Sequence, residues 1–161
     1  MGLAWKFLNI TLERITNVRT GDDPGPDLEI YGDLYISRMM NDGTRKIIET
    51  FRMWHRNSTD RIVLNEGDSL YVNNQKKIVT FSNQFIVLHG TSMYEHDTWP
   101  NPDDTFTDAT EYLSFESIHT DDYHVSFMED STTKELFWAM YKIEVLDSGI
   151  GRVPSDIDNQ L

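Results

Sequence analysis

The sequence predicts an all-β protein, an antiparallel sandwich or barrel of about eight strands, on three observations. Apolar and polar residues alternate with a period of two through most of the apolar runs. Clusters of Gly, Pro, Asn and Asp punctuate those runs at short intervals. No segment carries a convincing 3.6-residue period over a helix-sized stretch, and no long repeat appears. A chain of 161 residues with 39% apolar and 12% aromatic content forms one domain with a real core.

The elements follow in order. Residues 5–15 put Leu8, Ile10 and Leu12 on one face and Asn9, Thr11 and Glu13 on the other, a half-buried strand. Residues 20–27, TGDDPGPD, are a loop. Residues 28–38 alternate again, with Gly32 as a candidate bulge. Asn41-Asp42-Gly43 is a hairpin turn, and 45–54 is the returning strand. Residues 55–60 are a polar loop. Between 62 and 81 lie short apolar runs whose strand count the pattern leaves open. Residues 85–93 form a strand that leads into an acidic stretch, 94–108. Further strands fall at 111–118, 123–128 and 135–146, with a turn at 129–133. The last strand has helix-like composition, but its aromatic and β-branched content favours strand. Residues 1–147 are expected to be the folded domain, and 148–161 a loose tail. Trp5, Trp54 and Trp138 are expected in the core.

Charge narrows the function. The net charge of −13 disfavours direct contact with nucleic acid or with anionic lipid unless a multivalent cation intervenes. There is no cysteine, which excludes disulfides, thiolate metal sites and a Cys nucleophile. No apolar run is long enough for a membrane helix, and the N-terminus lacks the pattern of a signal peptide. The compartment stays open, between the cytoplasm and export by a signal-independent route. No Gly-x-Ser-x-Gly and no phosphate-cradling loop is present, so a non-enzymatic module is expected.

The stretch 94–108, YEHDTWPNPDDTFTD, carries most of the functional information. Glu95, Asp97, Asp103 and Asp104 are four carboxylates on a loop stiffened by Pro100 and Pro102. Clustered hard oxygen donors suit Ca²⁺, which takes six to eight oxygens at roughly 2.3–2.6 Å. Taken singly, each of these acids is ordinary solvated surface on an acidic protein. A second acidic loop holds Asp22, Asp23 and Asp27. Loops alternate between the ends of an antiparallel sandwich, so the two acidic loops meet if residues 61–83 act as one strand unit.

With these spacings the chain resembles the C2 family of calcium-dependent, membrane-binding β-sandwiches, over roughly residues 5–146. In that family one early loop supplies two aspartates, the second opening a strand, as Asp22 and Asp27 stand here. A later loop supplies Asp-x-Asp-x₅-Asp, matched by Glu95, Asp97 and Asp103 with Glu in the first place. The resemblance implies Asp22, Asp27, Glu95, Asp97 and Asp103 as calcium ligands, with Asp104 and Asp23 as near substitutes. The family's Pro-Tyr after the first-loop Asp is replaced by Leu28-Glu29, and Lys76-Lys77 is the one basic pair near a middle strand.

The resemblance implies a module that docks to membrane phospholipid through bound calcium, with Trp99 as a wedge. It would be an accessory unit, for example within a secreted effector or toxin. A calcium-dependent carbohydrate-binding module is the second expectation, with Trp99 and Tyr94 stacking on a glycan. A metal-free acidic adaptor or inhibitor that binds a protein partner is the third.

Overall fold

The computed structural model describes residues 2–21, 25–97, 100–129 and 135–161. The strands are β1 (Ala4–Arg19), β2 (Asp27–Met40), β3 (Ile47–Arg56), β4 (Ile62–Asn65), β5 (Ser69–Phe81), β6 (Gln84–Glu95), β7 (Asp104–Thr105), β8 (Ala109–Ser114), β9 (Asp121–Met128) and β10 (Leu136–Ile150). One short helix, α1 (Ser155–Asp158), follows. All the strand pairings are antiparallel.

The strands build two layers. One sheet has the order β5-β1-β10-β9. The other has the order β3-β2-β6-β7, with β4 also on β2 and β8 also on β6. Their inner faces hold the residues that alternation assigns to them: Leu8, Ile10 and Leu12 on β1, and Leu28, Ile30, Leu34 and Ile36 on β2, all fully buried. Opposite them lie Phe127 and Phe137, whose rings stack at 4.7 Å between centroids, with Phe106 set edge-on to Phe137 at 4.8 Å. This is the antiparallel β-sandwich that the alternation predicts.

The segment 61–83 resolves into β4, a turn and β5. β4 pairs with β2 just beyond β3, Ile62 opposite Ile30 and Asn65 opposite Asp27. It therefore continues the path of β3 toward the end where β1 finishes. β5 then runs back along β1, from Ser69 opposite Thr16 to Phe81 opposite Trp5. After the 82–83 turn, β6 climbs beside β2 from Gln84 opposite Met40 to Glu95 opposite Ile30. The loops following β1 and β6 thus lie at the same end.

Three details differ from the sequence expectation. β10 is a strand and runs on to Ile150, pairing with β1 out to Ala4. Beyond it, Val153 and Ile157 are buried against Trp5, Phe7 and Val79. The tail therefore packs, because β1 and β5 present an apolar patch on their outer face that needs a cover. Trp54 is in the main core and Trp5 in this outer cluster, but Trp138 is half-buried and tilts over His124 at 4.7 Å. Among the described residues no helix is long and apolar enough to cross a membrane.

Candidate metal centre

The site begins with a register slip. β2 and β6 pair regularly as far as Asp33 opposite Thr91, and then Tyr31 stands opposite Tyr94. β6 thus carries one extra residue there. Ser92 takes φ 53° and Gly32, across from it, takes φ 135°. A side chain on Gly32 would meet the Ser92 carbonyl oxygen at 2.4 Å, so only glycine fits. The extra residue inverts the alternation of β6. Ile86 and Leu88 face inward as even numbers, and then Met93 and Glu95 face inward as odd ones.

Glu95 is therefore aimed between the sheets, and it is 1% exposed. Its Oε1 accepts the Glu29 backbone N–H at 3.1 Å. On the other sheet, the inner-face series Val125, Phe127 ends in Glu129, and the series Tyr141, Ala139, Phe137 ends in Glu135. Both glutamates are buried, at 7% and 1% exposed. They stand next to each other just past the end of β9 and before the start of β10, the Glu129 N–H donating to the Glu135 carbonyl at 3.1 Å. Like charges in such positions repel.

A short crossing joins the two sheets at this level. Phe106 N–H donates to the Met93 carbonyl at 2.9 Å, and Thr107 N–H to the Met128 carbonyl at 3.0 Å. Phe106 also bridges to Glu129. Asp104, paired with Glu95 through β7, is carried in by this crossing. Glu95, Asp97 and Asp104 each offer an oxygen within 4.8 Å of the others, and so do Asp104, Glu129 and Glu135. Asp104 belongs to both groups.

The neighbouring acids have different surroundings. Burial, and then the Asp104 and Asp103 carboxylates, push the Asp97 carboxyl above the usual range. Burial would also raise Asp103, but hydrogen bonds prevail and hold it below the usual range. It accepts from the Tyr31 hydroxyl at 2.5 Å and from the Asp97 N–H at 3.1 Å, with His96 Nδ1 at 3.2 Å. Tyr31, stacked on Tyr94 at 5.2 Å, has its hydroxyl pushed up by burial and then by Asp103.

Of the residues the sequence singled out, Glu95, Asp97 and Asp104 come together. Asp103 turns to Tyr31 and His96 instead. Asp27 opens β2 opposite Asn65 and is half-buried, outside both groups. Asp22 and Trp99 lie outside the described residues. Glu129 was missed because residues 129–133 read as a polar turn, and Glu135 because it reads as the polar opening residue of the strand 135–146. The available signal was an acid at the next inner-face position of each flanking strand.

No protein-family model and no curated protein matches the chain. Among solved structures, the chain is similar to human GIVD cytosolic phospholipase A2, there in complex with a fluorophosphonate inhibitor and terbium chloride. Identity is 16%, TM-score 0.39, and the match covers 91% of this chain and 18% of that one. It is also similar to CC2D1B, described as acting in the mitotic reformation of the nuclear envelope. There identity is 12%, TM-score 0.41, and coverage 87% of this chain and 55% of that one. The chain thus spans about a fifth of the length of the phospholipase. At these scores the likeness adds no argument, and the fold rests on its own strand connectivity.

Proposed function

We propose that this chain is a non-enzymatic C2-like module that binds Ca²⁺ at its acidic end and docks there to a membrane surface. The observation that carries the reading is the pair of carboxylate groups sharing Asp104. The donors are all hard oxygens, which suits Ca²⁺, Mg²⁺ or Mn²⁺ and not Zn²⁺. Two oxygens on one Ca²⁺ lie at most about 5 Å apart, twice the bond length, and every pair within each group lies within 4.8 Å. Mg²⁺ demands a tighter octahedron, which flexible glutamates from two sheets serve less well.

Glu95, Asp97, Asp104, Glu129 and Glu135 are the proposed inner ligands. Five carboxylates exceed the charge of one divalent ion, so two neighbouring ions bridged by Asp104 fit the donor set best. Asp27, Asp103 and Asp22 are proposed as further ligands, and Trp99 as the membrane contact. Bound calcium would offset the repulsion between an acidic rim and anionic headgroups.

Calorimetric titration with CaCl₂, and sedimentation with phosphatidylserine vesicles in calcium or in chelator, test the two halves. Saturable calcium binding with calcium-dependent sedimentation is expected. No heat at millimolar calcium sinks the whole reading. Calcium binding without sedimentation removes the membrane half and leaves a glycan or protein as the partner.

A further inference from the structure

We propose that the open side of the sandwich, between the free edges of β3 and β5, takes an extended acidic segment of a partner protein as an added strand. β3 ends one sheet and β5 ends the other. The two edges lie side by side, since Asn74 of β5 donates its side-chain amide to the Met53 carbonyl of β3 at 2.8 Å. Toward the acidic end from this bridge is a cavity of about 330 Å³, lined by Trp54, Arg56, Leu70 and Tyr71 among others. Away from it is one of about 290 Å³, lined by Arg38, Phe51, Lys76, Lys77 and Ile78 among others. Together they form a seam along the length of both strands.

Two features of the seam point to its occupant. The first is charge. On a chain of net charge −13, the cavities are lined among the described residues by Arg38, Arg56, Lys76 and Lys77 against Glu49 and Asp158, with the Lys77 Nζ donating to Gln160 Oε1 at 3.0 Å. Arg38 is paired with Glu49 at 2.7 Å. Lys76 rests over the Phe51 ring at 4.4 Å and Arg56 over the Trp54 ring at 5.8 Å, so both keep their charge directed to the seam. The second is exposed apolar surface. Tyr71, which lines one of the two cavities, is 65% exposed, and Ile47 and Ile48, 53% and 39% exposed, lie beyond the seam at the hairpin end of β3.

An extended segment with alternating acidic and apolar side chains meets both features at once, and its main chain pairs with a free sheet edge. β3 slips register against β2 near each end, between Leu34 and Tyr35 and between Arg38 and Met39. Glu49–Arg52 is the regular stretch between those slips, so the added strand is short and its binding is salt-sensitive. The seam is separate from the carboxylate groups, and the proposal stands whether or not the chain binds calcium.

The test uses a fluorescent, terminally blocked peptide alternating glutamate with valine, beside a lysine–valine version and one with a central proline. Saturable binding of the acidic peptide alone is expected, weakened at least tenfold in Lys76→Glu/Lys77→Glu and lost at high salt. Amide shifts on binding should fall on β3 and β5. Equal binding of all three peptides, or unchanged binding by the double variant, overturns the proposal, as do shifts centred on the acidic end. It also falls if the double variant loses only phosphatidylserine vesicles, or only self-association, while the peptide is ignored. The wild-type amide map does not depend on how well the variant folds.

Discussion

Asp104 is the position that separates a cation site from a merely acidic surface, because both carboxylate groups depend on it. In chelator, Asp104→Asn relieves repulsion among its neighbours, so thermal stability should hold or rise. In calcium the same change should weaken affinity at least about tenfold, the equivalent of about 1.4 kcal/mol, as read by calorimetry. Unchanged affinity would remove Asp104 from the ligand set. His89, far from these acids in register, gives a pH prediction. Burial lowers its pKa from 6.5, and its ring stacks on Tyr35 and bonds Ser37 Oγ at 2.8 Å. The unfolded chain then takes up a proton before the native one does. Stability is full above pH 6.5 and falls as pH drops toward the folded-state value. His89→Phe should flatten that fall in melting scans between neutral and mildly acid pH; an unchanged slope would assign it to other groups.

At the scale of elements, the bulge in β6 decides what lies between the sheets. Deleting Ser92 would remove the extra residue and restore plain alternation with Met93 and Glu95 still facing inward. The variant should keep any calcium-induced rise in melting temperature, and loss of that rise would mean that the bulge itself shapes the site. Gly32→Ala keeps the residue count but places a side chain 2.4 Å from the Ser92 carbonyl oxygen at φ 135°. It should destabilise by roughly 1–3 kcal/mol, measured by urea titration, and a neutral result would mean that the bulge relaxes freely. The period-two pattern made nearly every strand legible, and Gly32 marked the right level for a bulge. The pattern does not show which strand carries the extra residue, and that choice sets the direction of Glu95. Nor does it show that Glu129, read as part of a turn, and Glu135, read as the start of a strand, face each other, which depends on the register of β9 and β10. The tail was illegible for a related reason. Val153 and Ile157 have no periodic company, and their burial depends on the patch of Trp5, Phe7 and Val79 far away in sequence.

For the whole molecule, calcium should act as a ligand of the native state alone. At a hundred times its dissociation constant such a ligand adds about 2.7 kcal/mol. For a domain of this size that is a rise of about 5–10 °C in melting temperature. Scanning calorimetry in calcium and in chelator reads it directly, and identical midpoints would contradict the proposed site. Phosphatidylserine vesicles should sediment the chain only in calcium, since the net charge of −13 otherwise opposes contact.

The crossing at Phe106 and Thr107 also has a mechanical meaning. Two sheets held only by interleaved side chains are free to shear a little over one another. Here main-chain hydrogen bonds reach both Met93 on one sheet and Met128 on the other, which pins the layers together at one end. The 82–83 turn ties the layers at the other end, the Ser82 N–H donating to the Ala4 carbonyl at 2.9 Å and the Asn41 N–H to the Asn83 carbonyl at 2.8 Å. With main-chain ties at both ends, the sheets resist sliding over one another, and the five carboxylates keep their places.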